Sequence, residues 1–203
     1  MPAAGPTLLF ERRLWLQGLQ WVAGVDEVGR GPLAGPVVAA AVIFPPCVAP
    51  DRLPPVDDSK RLSPRVRQEL APRIREAALA FAVAVVDPCE IDRLNIAQAS
   101  FECMHRAVEA LQPAAQHALV DGLRNPRLSV PQTPLLGGDG LCVSIAAASV
   151  LAKVHRDGLM LWYDTVYPGY GFADHKGYPT ARHRAALRAL GPSPLHRRSF
   201  RLE

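Results

Sequence analysis

None of the four cysteines, Cys47, Cys89, Cys103 and Cys142, stands in a C-x-x-C pair, so zinc-ribbon and dithiol redox motifs have no ligands here. The six histidines show neither H-x-H nor H-E-x-x-H spacing, which removes the support for zinc hydrolases and for a serine-hydrolase triad. No apolar stretch reaches membrane-spanning length without a charge or a proline. The first apolar run, Leu8–Phe10, is too short for a signal-peptide core. Scattered free cysteines in such a chain fit a reducing compartment. The expectation is a soluble cytoplasmic protein with no membrane partner. Internal repeats and low-complexity segments are also missing.

What is present fits one α/β domain of 203 residues, 49% hydrophobic and 21% charged, enough to bury a sizeable core. The twenty prolines cluster between elements (Pro45, Pro46, Pro50, Pro54, Pro55; Pro126, Pro131, Pro134), as defined loops would place them. A net charge of +4 permits a polyanionic partner without requiring one. Its arginines are uneven: Arg182, Arg184, Arg188, Arg197, Arg198 and Arg201 follow one another with no carboxylate between. Such a run reads as a solvated face or as the flank of a phosphate track.

Trp21–Asp26 and the Val-rich Pro36–Phe44 read as strands, separated by a glycine- and proline-rich segment, Val28–Gly35. After the polar loop Asp57-Asp58-Ser59-Lys60, Ser63-Pro64 has the form of an N-cap with proline at the first helical position. The helix runs toward Ala78, with Pro72 expected to kink or divide it. Ala80–Val86 is the next strand, with Asp87-Pro88 as its stop. Asn95–Leu111 is a helix, Ala118–Val120 a short buried strand, Ser144–Trp162 a long helix and Thr180–Leu190 a last one, ended by Gly191-Pro192. Strands first, then alternating helices and strands, predict a mixed sheet with helices against it.

The chemistry concentrates in Gly24-Val25-Asp26-Glu27-Val28-Gly29-Arg30-Gly31-Pro32-Leu33-Ala34-Gly35-Pro36, where two adjacent carboxylates close an apolar strand beside a glycine loop. A solvated strand end is the bland reading. A dinucleotide fingerprint is the second, since Gly29-Arg30-Gly31-Pro32-Leu33-Ala34 fits G-x-G-x-x-A. That motif must open a helix, whereas Pro36-Val37-Val38 reads as a strand. Asp26 and Glu27 would moreover repel a phosphate unless a cation lay between them. Carboxylates with a phosphate imply Mg²⁺ or Mn²⁺. Further acids at element ends are Asp121, closing Leu119-Val120-Asp121-Gly122, and Asp139 in Gly138-Asp139-Gly140; each also reads as an ordinary turn aspartate. Four carboxylates converging from three segments would suit two cations roughly 4 Å apart.

Asp26-Glu27-Val28-Gly29-Arg30-Gly31-Pro32-Leu33-Ala34-Gly35 resembles the N-terminal signature of bacterial ribonuclease HII. Further motifs follow in the same order: Asp58-Ser59-Lys60-Arg61-Leu62; Val120-Asp121-Gly122; Ala147-Ala148-Ser149-Val150-Leu151-Ala152-Lys153-Val154 with Arg156-Asp157; and Tyr170-Gly171-Phe172 through His175-Lys176-Gly177-Tyr178. The closing Gly191-Pro192-Ser193-Pro194-Leu195-His196-Arg197-Arg198-Ser199-Phe200 is similar to that family's ending.

The resemblance implies a ribonuclease H-like fold, with a mixed five-stranded sheet flanked by helices. It implies one type-2 ribonuclease H catalytic domain over residues 1–203, with a small helical C-terminal part at roughly 165–203. Its metal-binding catalytic carboxylates fall on Asp26, Glu27, Asp121 and Asp139; the family carries lysine before the last of these, and this chain has Gly138. Asp157, beside Arg156, is expected instead as an ion-pair partner. Gly29, Arg30 and Gly31 would meet the sugar-phosphate backbone, Lys60 and Lys153 would bind phosphate, and Tyr178 would pack on the sugar beside the cut. The implied activity is hydrolysis 5′ to a ribonucleotide in a duplex, leaving a 3′-hydroxyl and a 5′-phosphate, with two Mg²⁺ or Mn²⁺ ions. The partners are RNA–DNA hybrids and DNA containing ribonucleotides, and the protein is expected to be a monomer. Two alternatives are a non-catalytic hybrid-binding protein of the same fold and another ribonuclease H-superfamily nuclease, such as an integrase or a type-1 enzyme.

Overall fold

The structure is a computed structural model that describes residues 5–46, 48–122 and 127–202; Cys47 and Pro126 lie outside the described residues. In chain order its elements are α1 (Leu9–Leu16), β1 (Val22–Val28), β2 (Val37–Ile43), α2 (Pro64–Ala77), β3 (Ala80–Val86), α3 (Pro88–Leu94), α4 (Ile96–Glu109), β4 (His117–Asp121), β5 (Gln132–Leu135), α5 (Val143–Val166), α6 (Phe172–His175) and α7 (Ala181–Leu190). The strands form one five-stranded sheet in the order β3-β2-β1-β4-β5. β1 pairs antiparallel with β2 and parallel with β4, β2 pairs antiparallel with β3, and β4 pairs parallel with β5, so the sheet is mixed.

Period-two alternation divides the buried strand β2 between two cores. Val37, Ala39, Ala41 and Ile43 face α4, together with Ala99, Cys103, Met104 and Ala107. Val38, Ala40 and Val42 face α2 and α5, with Ile74, Ala147, Ala148 and Leu151. The same alternation on β1 sends Ala23 and Val25 toward α4 and Gly24 toward α5. Small residues let the two layers meet closely here. A Cβ on Gly24 would lie 2.2 Å from the Ser144 carbonyl carbon and 2.3 Å from the Ile145 nitrogen, so hydrogen is the largest group that fits.

Four segments differ from expectation. α1 follows the start of the chain, where only a short apolar run was read; its buried Glu11 accepts the Ser144 N–H at 2.8 Å and so caps the start of α5 from outside that helix. Asp87-Pro88 starts a helix rather than only stopping a strand, because Asp87 accepts the Glu90 N–H at 2.8 Å and Pro88 needs no N–H partner at the first helical position. β5 lies within the proline-rich connection as an edge strand, where a proline is tolerated. Pro72 does not divide α2: it sits on the exposed side, where water can take the Gln68 carbonyl left without its donor.

Gly24→Ala is therefore expected to lower unfolding stability by about 1–3 kcal/mol, as overpacking of backbone on backbone does. Gly158 lies in α5 with open space around its Cβ position, and Gly158→Ala should raise stability by about 0.5–1 kcal/mol. Urea unfolding of the two variants checks the pair; equal effects would mean that α5 does not pack on β1 at Gly24.

Candidate active site

Asp26 lies near the end of β1, and Asp121 ends β4, the parallel neighbour of β1. Asp26 is 5% exposed and accepts the Glu27 N–H at 2.7 Å; Ser149 of α5 stands near it, its hydroxyl 2.8 Å from that of Ser59. Glu27 follows it, its Oε1 3.2 Å from the Arg30 guanidinium. The Asp121 Oδ1 accepts the Gly138 N–H at 2.7 Å, which ties β4 to the single 3₁₀ turn Gly138–Gly140 and so brings in Asp139. A Cβ on Gly138 would stand 2.6 Å from Ile145 Cδ1 and 3.2 Å from Leu135 Cβ, so a larger residue here would need Ile145 to shift. From the loop before α2, the exposed Lys60 Nζ reaches to 3.6 Å from Asp139 Oδ2.

Gathering these acids makes Asp26, Glu27 and Asp139 harder to ionise. Burial raises the Asp26 pKa well above the usual carboxylate value, and the charges of Glu27, Asp121 and Asp139 raise it further, against the pull of the Ser149 hydroxyl. Burial also raises Glu27, although Arg30 opposes this. Asp139 is raised by burial, then by Asp121 and Asp58, with Lys60 pulling the other way. For Lys60, burial would lower the pKa, but Asp139, Asp58, Asp26 and Asp121 outweigh it and hold the ammonium charged.

Oxygen donors with an excess of negative charge fit a hard divalent cation, and Asp26, Glu27, Asp121 and Asp139 are the residues that could hold one. They are gathered but not yet at coordination spacing: among the described residues, no three acid, cysteine or histidine groups meet at ligand distance. Asp121 is engaged by the Gly138 N–H and Asp139 by Lys60. A cleft of about 360 Å³ beside the acids is lined by Glu27, Arg30, Ser100, Phe101, Met104, Asp121 and Gly122. A larger cavity of about 630 Å³, with Pro45, Arg73 and Glu76 in its walls, has one carboxylate and no converging set, so size does not mark the site.

The loop after β1 is bent at Gly29 (φ +99°) and Gly35 (φ +88°), leaving Arg30 and Gly31 exposed at its tip. Tyr178 is 41% exposed beside it, its Cε1 3.5 Å from where a Gly31 Cβ would stand. The structure thus brings together the acids, Gly29, Arg30, Gly31, Lys60 and Tyr178. Lys153 stands in an ion pair in this structure. The Lys153 Nζ is 2.6 Å from Asp157 Oδ1, an i,i+4 pair on α5, and Asp157 also lies 3.6 Å from Arg67.

The arginine run is likewise not wholly a solvated face, because Arg197 is fully buried, as is Arg156. Sequence reasoning left out Ser149, Arg156 and Arg197 as contributors. All three stand in segments that carry the family resemblance; an arginine's burial leaves no mark in composition.

A sequence profile of the family described as Ribonuclease HII matches residues 23–203. The chain is 56% identical over 192 residues to the ribonuclease HII of Moorella thermoacetica, covering 95% of this chain and 92% of that one. Among solved structures it is similar to the ribonuclease H2 of Pyrococcus horikoshii, with a TM-score of 0.73 and 27% identity over 90% of this chain and 94% of the other. It is also similar to the ribonuclease HII in a complex with PCNA from Archaeoglobus fulgidus, with a TM-score of 0.74 and 28% identity over 90% and 96% of the two chains.

Because the Asp26 carboxyl holds its proton more tightly in the folded chain than at its ordinary value of 3.8, this group's contribution to stability falls as pH rises from that value through the raised one. Asp26→Asn, which keeps an oxygen to accept the Glu27 N–H, should therefore raise the Tm of metal-free protein at pH 7 by several degrees, at about 2–4 °C per kcal/mol for a chain of this size. It should also flatten the decline of stability between pH 4 and 7. Mg²⁺ should raise the Tm of the parent chain more than that of the variant. A Tm lowered by the substitution at neutral pH would mean that the carboxylate is stabilised in the fold, not crowded.

Proposed function

The chain belongs to the ribonuclease HII family, and from that premise we propose that Asp26, Glu27, Asp121 and Asp139 together hold two divalent cations, Mg²⁺ or Mn²⁺. It is a metal-dependent endoribonuclease of the type-2 ribonuclease H class, hydrolysing RNA in RNA–DNA hybrids and cutting 5′ to ribonucleotides embedded in DNA. The observation that carries the metal assignment is the convergence of four acids from β1, β4 and the 138–140 turn, with Arg30 and Lys60 as the cations paired to them.

When bound, a pair of divalent cations supplies Lewis-acid chemistry, polarising water on one side of the phosphorus and taking up charge on the leaving 3′-oxygen on the other. The protein's own groups do the rest. Asp26, which accepts the Glu27 N–H, presents its carboxylate from a rigid central strand. Once the acid charge is neutralised, Lys60 is released from Asp139 toward a substrate phosphate, and Arg30 makes a second phosphate contact. Backbone groups of Gly29, Arg30 and Gly31 approach the ribose 2′-hydroxyl, and the Tyr178 ring packs on the neighbouring sugar. In this reading residues 1–203 form one catalytic domain with a helical C-terminal part, a monomer working in the cytoplasm.

A labelled DNA duplex carrying one ribonucleotide tests the reading. Cleavage 5′ to that nucleotide, dependent on Mg²⁺ or Mn²⁺ and giving 3′-hydroxyl and 5′-phosphate ends, is expected; binding without cutting would support the non-catalytic alternative instead. Asp121→Asn should lower the rate by several orders of magnitude while binding persists, and Asp139→Asn should cost far more activity than Asp157→Asn. A reversed order would move the fourth ligand onto α5. Tyr178→Ala should lose more activity on a single embedded ribonucleotide than on a long hybrid. An unchanged ratio of the two rates would make Tyr178 an ordinary packing residue.

A further inference from the structure

Two buried guanidiniums stand behind the glycine loop, and neither bonds a carboxylate. Arg197 donates from Nη2 to the carbonyls of Gly29 at 2.6 Å and Gly35 at 2.8 Å, from Nη1 to that of Arg30 at 3.0 Å, and from Nε to that of Gly35 at 3.0 Å. Arg156 donates from Nε to the Pro36 carbonyl at 2.9 Å, from Nη2 to Ala34 at 3.3 Å and from Nη1 to Lys176 at 3.0 Å. Both side chains are 0% exposed, so these carbonyl bonds offset the cost of burying two charges. Burial presses the pKa values down to about 9 for Arg197 and about 10 for Arg156, both still charged at neutral pH.

The carbonyls taken determine where the amides point. In a trans peptide the C=O and the following N–H point in opposite directions, and the only cis bond among the described residues is Gln112-Pro113. With the Gly29 and Arg30 carbonyls drawn inward to Arg197, the N–H groups of Arg30 and Gly31 face outward. Neither has an acceptor among the described residues. The rest of the loop is stitched to the C-terminal part: Leu33 N–H donates to the Gly177 carbonyl at 2.8 Å, Gly35 N–H to Leu195 at 2.9 Å and Arg197 N–H to Leu33 at 2.9 Å. Through Lys176, two residues before Tyr178, Arg156 also sets the ring's segment against the loop.

We propose that Arg197, with Arg156 beside it, is a positioning residue for ribonucleotide recognition, turning the Arg30 and Gly31 amides outward as paired donors to the ribose of the RNA strand. The inference rests on the reading that this loop meets the RNA sugar, and it adds what holds the loop in that state. A planar fork is needed because Arg197 makes four hydrogen bonds to three carbonyls, one more than the three N–H groups of an ammonium supply.

The test compares binding of a duplex with one ribonucleotide and an all-DNA duplex, for the parent chain and Arg197→Lys, without divalent ions so that nothing is cut. Arg197→Lys should fold and keep the Mg²⁺-induced rise in Tm, since the acids are untouched, while its preference for the ribonucleotide duplex falls about tenfold. A folded variant with the parent's preference would overturn the clamp and leave the reading of the loop standing. A parent chain without preference would overturn that reading and the clamp with it. Should Arg197→Lys fail to fold, amide hydrogen exchange in the parent chain decides. The Arg30 and Gly31 amides should exchange freely in the unbound protein and become protected with the ribonucleotide duplex. Protection already present without it would overturn the proposal.

Discussion

Four carboxyl groups within Coulombic reach of one another repel, and the remaining architecture holds them there nonetheless. Two unit charges about 4 Å apart in a surroundings of intermediate polarity interact by about 4 kcal/mol, a large share of a domain's net stability. Burial and these repulsions hold the Asp26, Glu27 and Asp139 carboxyls above their ordinary pKa values, and the answering side-chain cations are Arg30 and Lys60. A stiff support is required. β1 is the central strand, held by a neighbour on each side, and Gly24 lets α5 lie directly against it. The strain is thus carried by the part of the molecule least able to give way.

α5 links the two halves of the chemistry. Ser149 on this helix favours the ionised form of Asp26, and Arg156, seven residues or about two turns later on the same face, holds the loop that follows Glu27. One rigid helix therefore sets the separation between the acids and the loop. The C-terminal part closes from the other side through Arg197, and the Asp92 carboxylate of α3 accepts the Arg198 and Ser199 N–H groups, each at 2.9 Å, fastening that end. The charge centre belongs to the sheet, and the loop beside it is held from the C-terminal part. Fold alone would not give this division; the named side chains do.

Much of this was legible in the sequence because its signals are local. β1 to β4 are apolar runs with clear stops, α2 has Ser63-Pro64 at its start, and the motifs containing Asp26 and Asp121 stand at strand ends. What escaped depends on tertiary partners. α1 is short, has no side-chain cap of its own, and is fixed by Glu11 reaching α5. β5, Gln132–Leu135, is a polar, proline-containing edge strand that pairs with β4 and packs through Leu135 on Ile145 and Leu119. The ion pair of Lys153 with Asp157 went unread, although the i,i+4 spacing carries it. Arg197 reads as one more surface arginine because nothing local announces six backbone carbonyls waiting for it and Arg156.

The central claim is that the crowded acids exist to hold cations, and locating those cations tests it most directly. Anomalous scattering from crystals soaked in Mn²⁺ with a ribonucleotide-containing duplex should give two peaks about 4 Å apart between Asp26, Glu27, Asp121 and Asp139. Mn²⁺ found only on other residues, or a duplex seated on the loop with no ion among the four acids, would contradict the account.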